Sequence, residues 1–471
     1  MEPLSVDGKF FQAGGRRIDV RAVTYGPFPG GWPADFMPDF EAIAATGFNA
    51  LRLYEMPDRA CLDAARRCGL RVFGGLRWPH AVDFLADDRI PAAARVSLAE
   101  SLRAVEGHPA LAGVFVTNEV PADLVRWMGP VRVRKAIEDL IAHGRQLRPD
   151  ILWSYGNYPS TEYLEPENAD FTAFNVYLED EGSFRRYLRR LHHVAGDRPL
   201  MISEFGLDSR RNGTARQAAS LAWAIRVARE EEVAGMTTYA WSDRWWNSGM
   251  EVVDWDFGLV DREGHPKPAL AAVTAAWQDQ PSPPPEPRIS VIVCTRNGAG
   301  RISACLDSLL RQSLPAHEII VVDDGSTDET DNIVVGCYPQ VRLICLEPGG
   351  LSAARNAGAE AAGGEILAFT DDDCEADPDW LAKLATAFVA GWDACGGPNL
   401  PPPPRGDAGA IVAAAPGAPS HVMIDDSEAE HLPGCNIAVR RTAYFDIGGF
   451  DPAFTTAGDD VDFCWRLRDR G

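Results

Sequence analysis

QDQPSPPPEP, Gln278–Pro287, is the stretch on which the reading of this chain turns. Five prolines in ten residues remove the amide donors that a helix or a sheet needs, so the segment reads as a stiff, extended spacer. Working outward, residues 1–277 and 288–471 follow different rhythms. The chain has 471 residues, 46% of them hydrophobic, which supplies core for several domains and excludes wholesale disorder. Its net charge of −23 argues against nucleic acid as a partner, because phosphate binding needs a basic surface.

Upstream of the spacer, short β-like runs alternate with longer helical patterns. The runs are RAVTYGPF, FNALRLYEMP, LRVFGGLRWP, GVFVTNEVP, ILWSYGNYPS, FTAFNVYLED, PLMISEFGLD and MTTYAWSDRWW. Amphipathic stretches such as ACLDAARRCG and SLAWAIRVAREEEVAG lie between them. Eight such strands predict a (β/α)8 barrel over residues 1–277. An open doubly wound sheet shows the same alternation, but no early Gly-rich phosphate loop supports it. Downstream, RISVIVCTRN, EIIVVDDGSTDET, VRLICLEPG and EILAFTDDDCE predict a parallel α/β sheet with carboxylates at the strands' carboxyl ends. Pro398–Pro419 reads as a loop, and WRLRDRG ends without a helix stop, so the polypeptide is expected to continue past Gly471.

The N-terminus has neither a basic nor an apolar signal region, and no 18-residue apolar run predicts a membrane span. The ten cysteines form no C-x-x-C pair. A cytoplasmic, reducing location is the expectation.

Barrel active sites gather where the strands end. Those ends carry Arg52, Tyr54 and Glu55, then Arg77 and Trp78, Asn118 and Glu119, Asn175 and Tyr177, Glu204, and finally Trp241 and Asp243. Two carboxylates on separate strands suit glycosidic cleavage, one protonating the leaving oxygen while the other attacks the anomeric carbon. Trp78 and Trp241 are expected to floor a sugar subsite. Spacing alone leaves Glu119 and Glu204 equally open as ordinary rim carboxylates.

TNE at Thr117–Glu119, SEFG at Ser203–Gly206 and the tail WDFGLVDREGHPKPAL at Trp255–Leu270 resemble the retaining glycoside hydrolase clan that includes cellulases and β-galactosidases. The resemblance implies Glu119 as acid/base, Glu204 as nucleophile, Asn118 on the sugar 2-hydroxyl and Tyr177 as partner of the nucleophile. It also implies that Arg52 keeps Glu204 ionised, and that the barrel needs no cofactor. The carboxyls of a retaining pair should stand about 5–5.5 Å apart. Tyr54–Glu55 departs from the pattern of many relatives and leaves the sugar preference open.

In the second region, acids recur as Asp323–Asp324, Asp371-Asp372-Asp373 and Asp459–Asp460. Carboxylates of this kind can hold a divalent cation against a diphosphate and accept a proton from a hydroxyl. Taken singly, DDGSTD fits an Asx-rich turn with a helix cap, and DDD fits a solvated loop. SVIVCTRN, VVDDGSTDET, LSAARNAG, FTDDDCEADPDWL and GGFDPAFTTAGDDVDFCWRLRDRG together resemble family 2 glycosyltransferases, of the metal-dependent, Rossmann-like GT-A nucleotide-diphospho-sugar transferase fold. The resemblance implies that Thr295, Arg296, Asp323 and Asp324 border the nucleoside and that Arg355 approaches nucleotide or phosphate. Asp371 and Asp373 would bind Mg²⁺ or Mn²⁺, with Asp460 the base of an inverting displacement and Asp459 beside it.

The tandem order resembles bacterial fusion proteins of polysaccharide synthesis. It implies a nucleotide-diphospho-sugar donor and an oligo- or polysaccharide acceptor. Two other readings stand open on the sequence: a barrel that only binds glycan, and a pair of degenerate structural domains.

Overall fold

The computed structural model describes residues 1–247, 249–279, 287–400, 406, 422–424, 428–454 and 457–470. The chain divides into two units, Met1–Gln280 and Pro281–Gly471. Of the expected spacer only Gln278, Asp279 and Pro287 are described, and most of Pro398–Pro419 lies outside the described residues. Gln278 closes the helix Pro268–Gln278.

The first unit opens with an antiparallel sheet that the hydrophobic pattern did not announce: β1 Ser5–Asp7, β2 Phe10–Ala13 and β3 Arg16–Ile18. These strands are too short and polar to register as runs. Their Phe11 is fully buried and packs edge-on against Phe171, which precedes the sixth barrel strand. The barrel itself comprises β4 Val20–Thr24, β5 Ala50–Arg52, β6 Arg71–Gly75, β7 Leu111–Asn118, β8 Leu152–Asn157, β9 Thr172–Asn175, β10 Leu200–Phe205 and β11 Gly235–Thr238. Every neighbouring pair is parallel, and β11 returns to β4 to close the ring. Buried helix faces cover its outside, as in Arg59–Arg67, where Asp58 caps the Cys61 amide and Cys61, Leu62, Ala64 and Ala65 face inward.

Two irregularities aim the barrel's functional ends. The β7–β8 register shifts between Phe115 and Asn118, and the β10–β9 register shifts between Ile202 and Glu204. Such bulges re-aim side chains at strand ends. The residue directly after β7, Glu119, has φ 46°, a left-handed conformation that costs a side-chain-bearing residue about 1–3 kcal/mol. Beyond β11 the chain makes a hairpin, β12 Trp245–Asn247 with β13 Met250–Val252, where the sequence pattern suggested one long final strand.

The second unit contains β14 Ile289–Thr295, β15 Glu318–Asp323, β16 Arg342–Cys345, β17 Ile366–Asp371, β18 Ala394–Gly396, β19 Val422–Met423, β20 Ala429–His431 and β21 Ile437–Arg440. The main sheet runs β16-β15-β14-β17-β21-β18. β14 to β17 are mutually parallel and β21 pairs antiparallel with both β17 and β18. β14 sits between β15 and β17, so the strand order reverses there and opens a crevice at their carboxyl ends.

Candidate active sites

In the barrel, one amide organises two carboxylates. Asn175, the last residue of β9, donates from Nδ2 to Glu119 Oε1 at 2.8 Å and to Glu204 Oε1 at 2.7 Å. Those two oxygens therefore stand no further apart than the two bonds laid end to end, 5.5 Å, short of the wider gap of an inverting pair. Ser203 Oγ donates to Asn175 Oδ1 at 2.7 Å, which fixes the amide's orientation. Arg52, 1% exposed, donates to Glu204 Oε1, to Asn118 Oδ1 at 2.6 Å and to the Ser203 carbonyl at 3.0 Å. Tyr54 also donates to Glu204 Oε1, and Tyr177 donates to Oε2 at 2.7 Å.

The two carboxylates differ in electrostatic setting. Glu204 accepts from a guanidinium and two hydroxyls. Burial and the charge of Glu204 push the Glu119 carboxyl up to about 6, partly opposed by the Asn175 bond and Arg52. This is the division that acid and nucleophile require. Burial, reinforced by Glu204, also pushes the Tyr54 hydroxyl well above its ordinary value, so it stays a donor.

A cavity of about 590 Å³ opens over this pair. Arg52, Asn118, Glu119, Tyr177 and Glu204 all line it, with Tyr239, Trp245, Trp255 and Phe257 as an aromatic wall. Trp241 and Trp78, expected as sugar floors, are not among its lining residues. Trp241 lies three residues past β11, its amide bonded to the Thr24 carbonyl at 2.9 Å and its indole N–H to Asp39 at 3.2 Å, and packs into the core. Trp78 is buried with its indole N–H on the Val116 carbonyl at 2.9 Å. Asp243 is likewise internal, paired with Lys267 Nζ at 3.0 Å. The sequence reading names Tyr54 and Asn175 at strand ends but gives neither its contact to Glu204. Asn175 carried a signal in its position at a strand end, two residues before Tyr177.

In the second unit, Thr295 and Asp323 lie opposite one another at the ends of β14 and β15. Asp323 Oδ1 accepts the Ser326 amide at 3.0 Å, and Asp324 receives the Gly349 and Gly350 amides at 2.6 and 3.0 Å. Asp323 thus braces its own turn and Asp324 ties that turn to the loop entering the helix Leu351–Ala361, while Arg296 stands exposed. The three acids after β17 divide sharply. Asp372 turns inside, accepting from Thr295 Oγ1 at 2.5 Å and from Arg301 Nε at 2.7 Å. Asp371 is half-buried and Asp373 exposed, which leaves the outer pair as hard oxygen donors that fit a divalent cation. Burial, with the charge of Asp373 adding, raises the Asp371 carboxyl above its usual range despite Arg355.

Arg355 is buried, 4% exposed at its side chain. It reaches Asp459 Oδ2 at 2.7 Å and Asp371 Oδ1 at 3.4 Å, over the Phe450 ring at 4.9 Å. Asp459 and Asp460 begin the helix Asp459–Asp469. Asp460 Oδ2 accepts the Gly434 amide at 2.9 Å and Oδ1 accepts the Val461 amide at 2.9 Å. The structure therefore joins Arg355, Asp371 and Asp459 in one network.

Comparison with known proteins places both units. Residues 290–444 match the family model described as Glycosyl transferase family 2. Glycosyltransferase AglE of Haloferax volcanii is 31% identical over 200 residues, covering 39% of this chain and 62% of its own. Pre-mycofactocin glycosyltransferase of Mycobacterium tuberculosis is 30% identical over 213 residues, 43% of each chain. Among solved structures, β-glucuronidase from Ruminococcus gnavus superposes with a TM-score of 0.50 at 16% identity, covering 59% of this chain and 52% of that one. The chain spans less than two thirds of the length of each of these. No helix among the described residues is long and apolar enough to cross a membrane. The chain thus joins a closed eight-stranded parallel barrel to a domain that matches the glycosyl transferase family 2 model at residues 290–444.

Proposed function

We propose that the second unit transfers a sugar from a nucleotide-diphosphate donor to a glycan acceptor with inversion, and that the barrel cleaves or remodels a β-glycan with retention. The pairing suits bacterial polysaccharide synthesis or remodelling. The observation that carries the barrel reading is the shared Asn175 amide, which holds an acid raised to about 6 beside an arginine-paired carboxylate. Glu119 protonates the departing oxygen as Glu204 attacks the anomeric carbon, and then takes a proton from the water that releases the sugar. In the second unit, Asp371 and Asp373 would hold Mg²⁺ or Mn²⁺, which supplies positive charge to the leaving diphosphate. Asp460 takes the proton of the acceptor hydroxyl, and Arg355 keeps Asp371 and Asp459 in place.

The test uses the full chain. Release of nucleoside diphosphate is measured across a panel of nucleotide sugars with and without EDTA, and again with Asp373→Ala. Hydrolysis of aryl β-glycosides is measured in parallel with Glu204→Gln. Metal-independent, variant-insensitive turnover sinks the transferase reading. Absent or unchanged glycosidase turnover in Glu204→Gln and its parent makes the barrel a binding module.

A further inference from the structure

The two oxygens of Glu204 are not equivalent. Oε1 accepts from Arg52 Nη1, from the Tyr54 hydroxyl and from Asn175 Nδ2 at 2.7 Å. Among the described residues Oε2 accepts from the Tyr177 hydroxyl alone, at 2.7 Å. A carboxylate oxygen offers about two lone-pair sites, so three donors exhaust Oε1 while Oε2 keeps a pair for bond formation. The Tyr54 hydroxyl itself accepts from Arg52 Nη1 at 3.2 Å, which commits its own proton to Oε1. Its ring is set edge-on to Trp245 at 5.7 Å, with the Arg52 guanidinium over its face at 4.7 Å.

We propose that Tyr54 acts on one half of the reaction, speeding release of the sugar from Glu204 by holding the carboxylate oxygen that forms no bond to it. In the first half an electron pair on Oε2 attacks the anomeric carbon. The bond to the leaving oxygen breaks, and that oxygen takes the proton of Glu119. In the second half water attacks the anomeric carbon and gives a proton to Glu119, and the pair of the carbon–Oε2 bond returns to Glu204. Glu204 therefore loses its charge in the first half and regains it in the second. A hydroxyl bonds an ionised acceptor more strongly than the neutral carbonyl that Oε1 becomes in the ester. Tyr54 thus favours the half in which the charge returns and gives no help to the half in which it is lost. It is a positioning residue, and the inference rests on the retaining reading above.

The experiment isolates the second half. The full chain is treated with 2,4-dinitrophenyl 2-deoxy-2-fluoro-β-D-glucoside, its galactoside counterpart and the glucuronide, and the adduct on Glu204 is read by peptide mass spectrometry. Reactivation of the purified adduct in buffer then reports sugar release alone. Tyr54→Phe should slow reactivation about tenfold, the difference between a hydrogen bond to a charged and to a neutral acceptor. On the matching 2,4-dinitrophenyl glycoside, which needs no proton from Glu119, kcat and KM should fall together and kcat/KM should not fall. The burst of dinitrophenolate counts competent sites, so a poorly folding variant is corrected for. Unchanged reactivation, or a fall in kcat/KM with KM unaltered, overturns the role of Tyr54 and leaves the retaining reading standing. Absence of any adduct on the unsubstituted chain overturns both.

Discussion

Arg355 Nη1 and Asp459 Oδ2 stand 2.7 Å apart in the interior of the second unit, although 104 positions separate them in the chain. Ser352 Oγ reaches the same carboxylate oxygen at 3.3 Å, so the pair ties the helix Leu351–Ala361 to the helix Asp459–Asp469. Removing one partner leaves an uncompensated buried charge, at a cost of about 3–5 kcal/mol. Arg355→Met should therefore lower amide protection in both helices by that amount, read by hydrogen exchange and mass spectrometry. Adding Asp459→Leu should restore part of it. If the double variant is as unprotected as the sum of the single ones, the two residues do not act as a pair.

The Glu119 carboxyl, raised to about 6, sets a pH dependence for the barrel. The acid form is the proton donor, so kcat/KM should be full below that value and fall as pH rises through it. Glu119→Gln should abolish this basic limb and spare leaving groups that need no proton. A pH–rate profile on aryl glycosides of graded leaving-group acidity checks both. A limb that survives in Glu119→Gln would assign the titration elsewhere.

Two neighbouring aspartates should respond differently to the same substitution. Asp372 is buried and accepts from Thr295 and Arg301, so Asp372→Ala strands those donors and should cost about 1–3 kcal/mol of stability. Asp373 is exposed, so Asp373→Ala should leave thermal unfolding nearly unchanged and weaken Mn²⁺ binding. Calorimetry of unfolding and of Mn²⁺ titration separates the two. Equal destabilisation by both variants would contradict the inward and outward alternation.

Much of this was legible because chemistry and periodicity coincided. The eight short apolar runs quoted above mark the barrel strands, since burial on both faces makes each strand a near-continuous hydrophobic stretch. What stayed hidden was what a linear pattern does not carry. Trp241 and Trp78 have the same aromatic character as Trp245 and Trp255, and only the end of β11 at Thr238 and the hairpin after it decide which rings face the cavity. Tyr54 read as a departure from a family pattern, yet it bonds Glu204 from the loop after β5. Arg355 read as a phosphate contact, and its burial beside Asp459 depends on a partner more than a hundred positions away. Cys345 lies in the apolar run VRLICLEPG, but its strand β16 is at the sheet edge and it is exposed.

Asn175 offers the sharpest test of how the barrel's carboxylates are kept distinct. Its amide donates to both, and the bond to Glu119 is one of the influences that lower that residue's proton affinity. Asn175→Ala removes it while Arg52 and Tyr177 still hold Glu204. Loss of a preorganised donor at such a site typically costs about 10²–10³ in kcat. With the lowering contact gone, burial and Glu204 act on Glu119 unopposed by that amide, so the basic limb of the pH–rate profile should move upward. A merely structural role for Asn175 would reduce the rate and leave the limb where it was. A profile that drops without shifting, or shifts downward, would show that Asn175 does not couple the two acids.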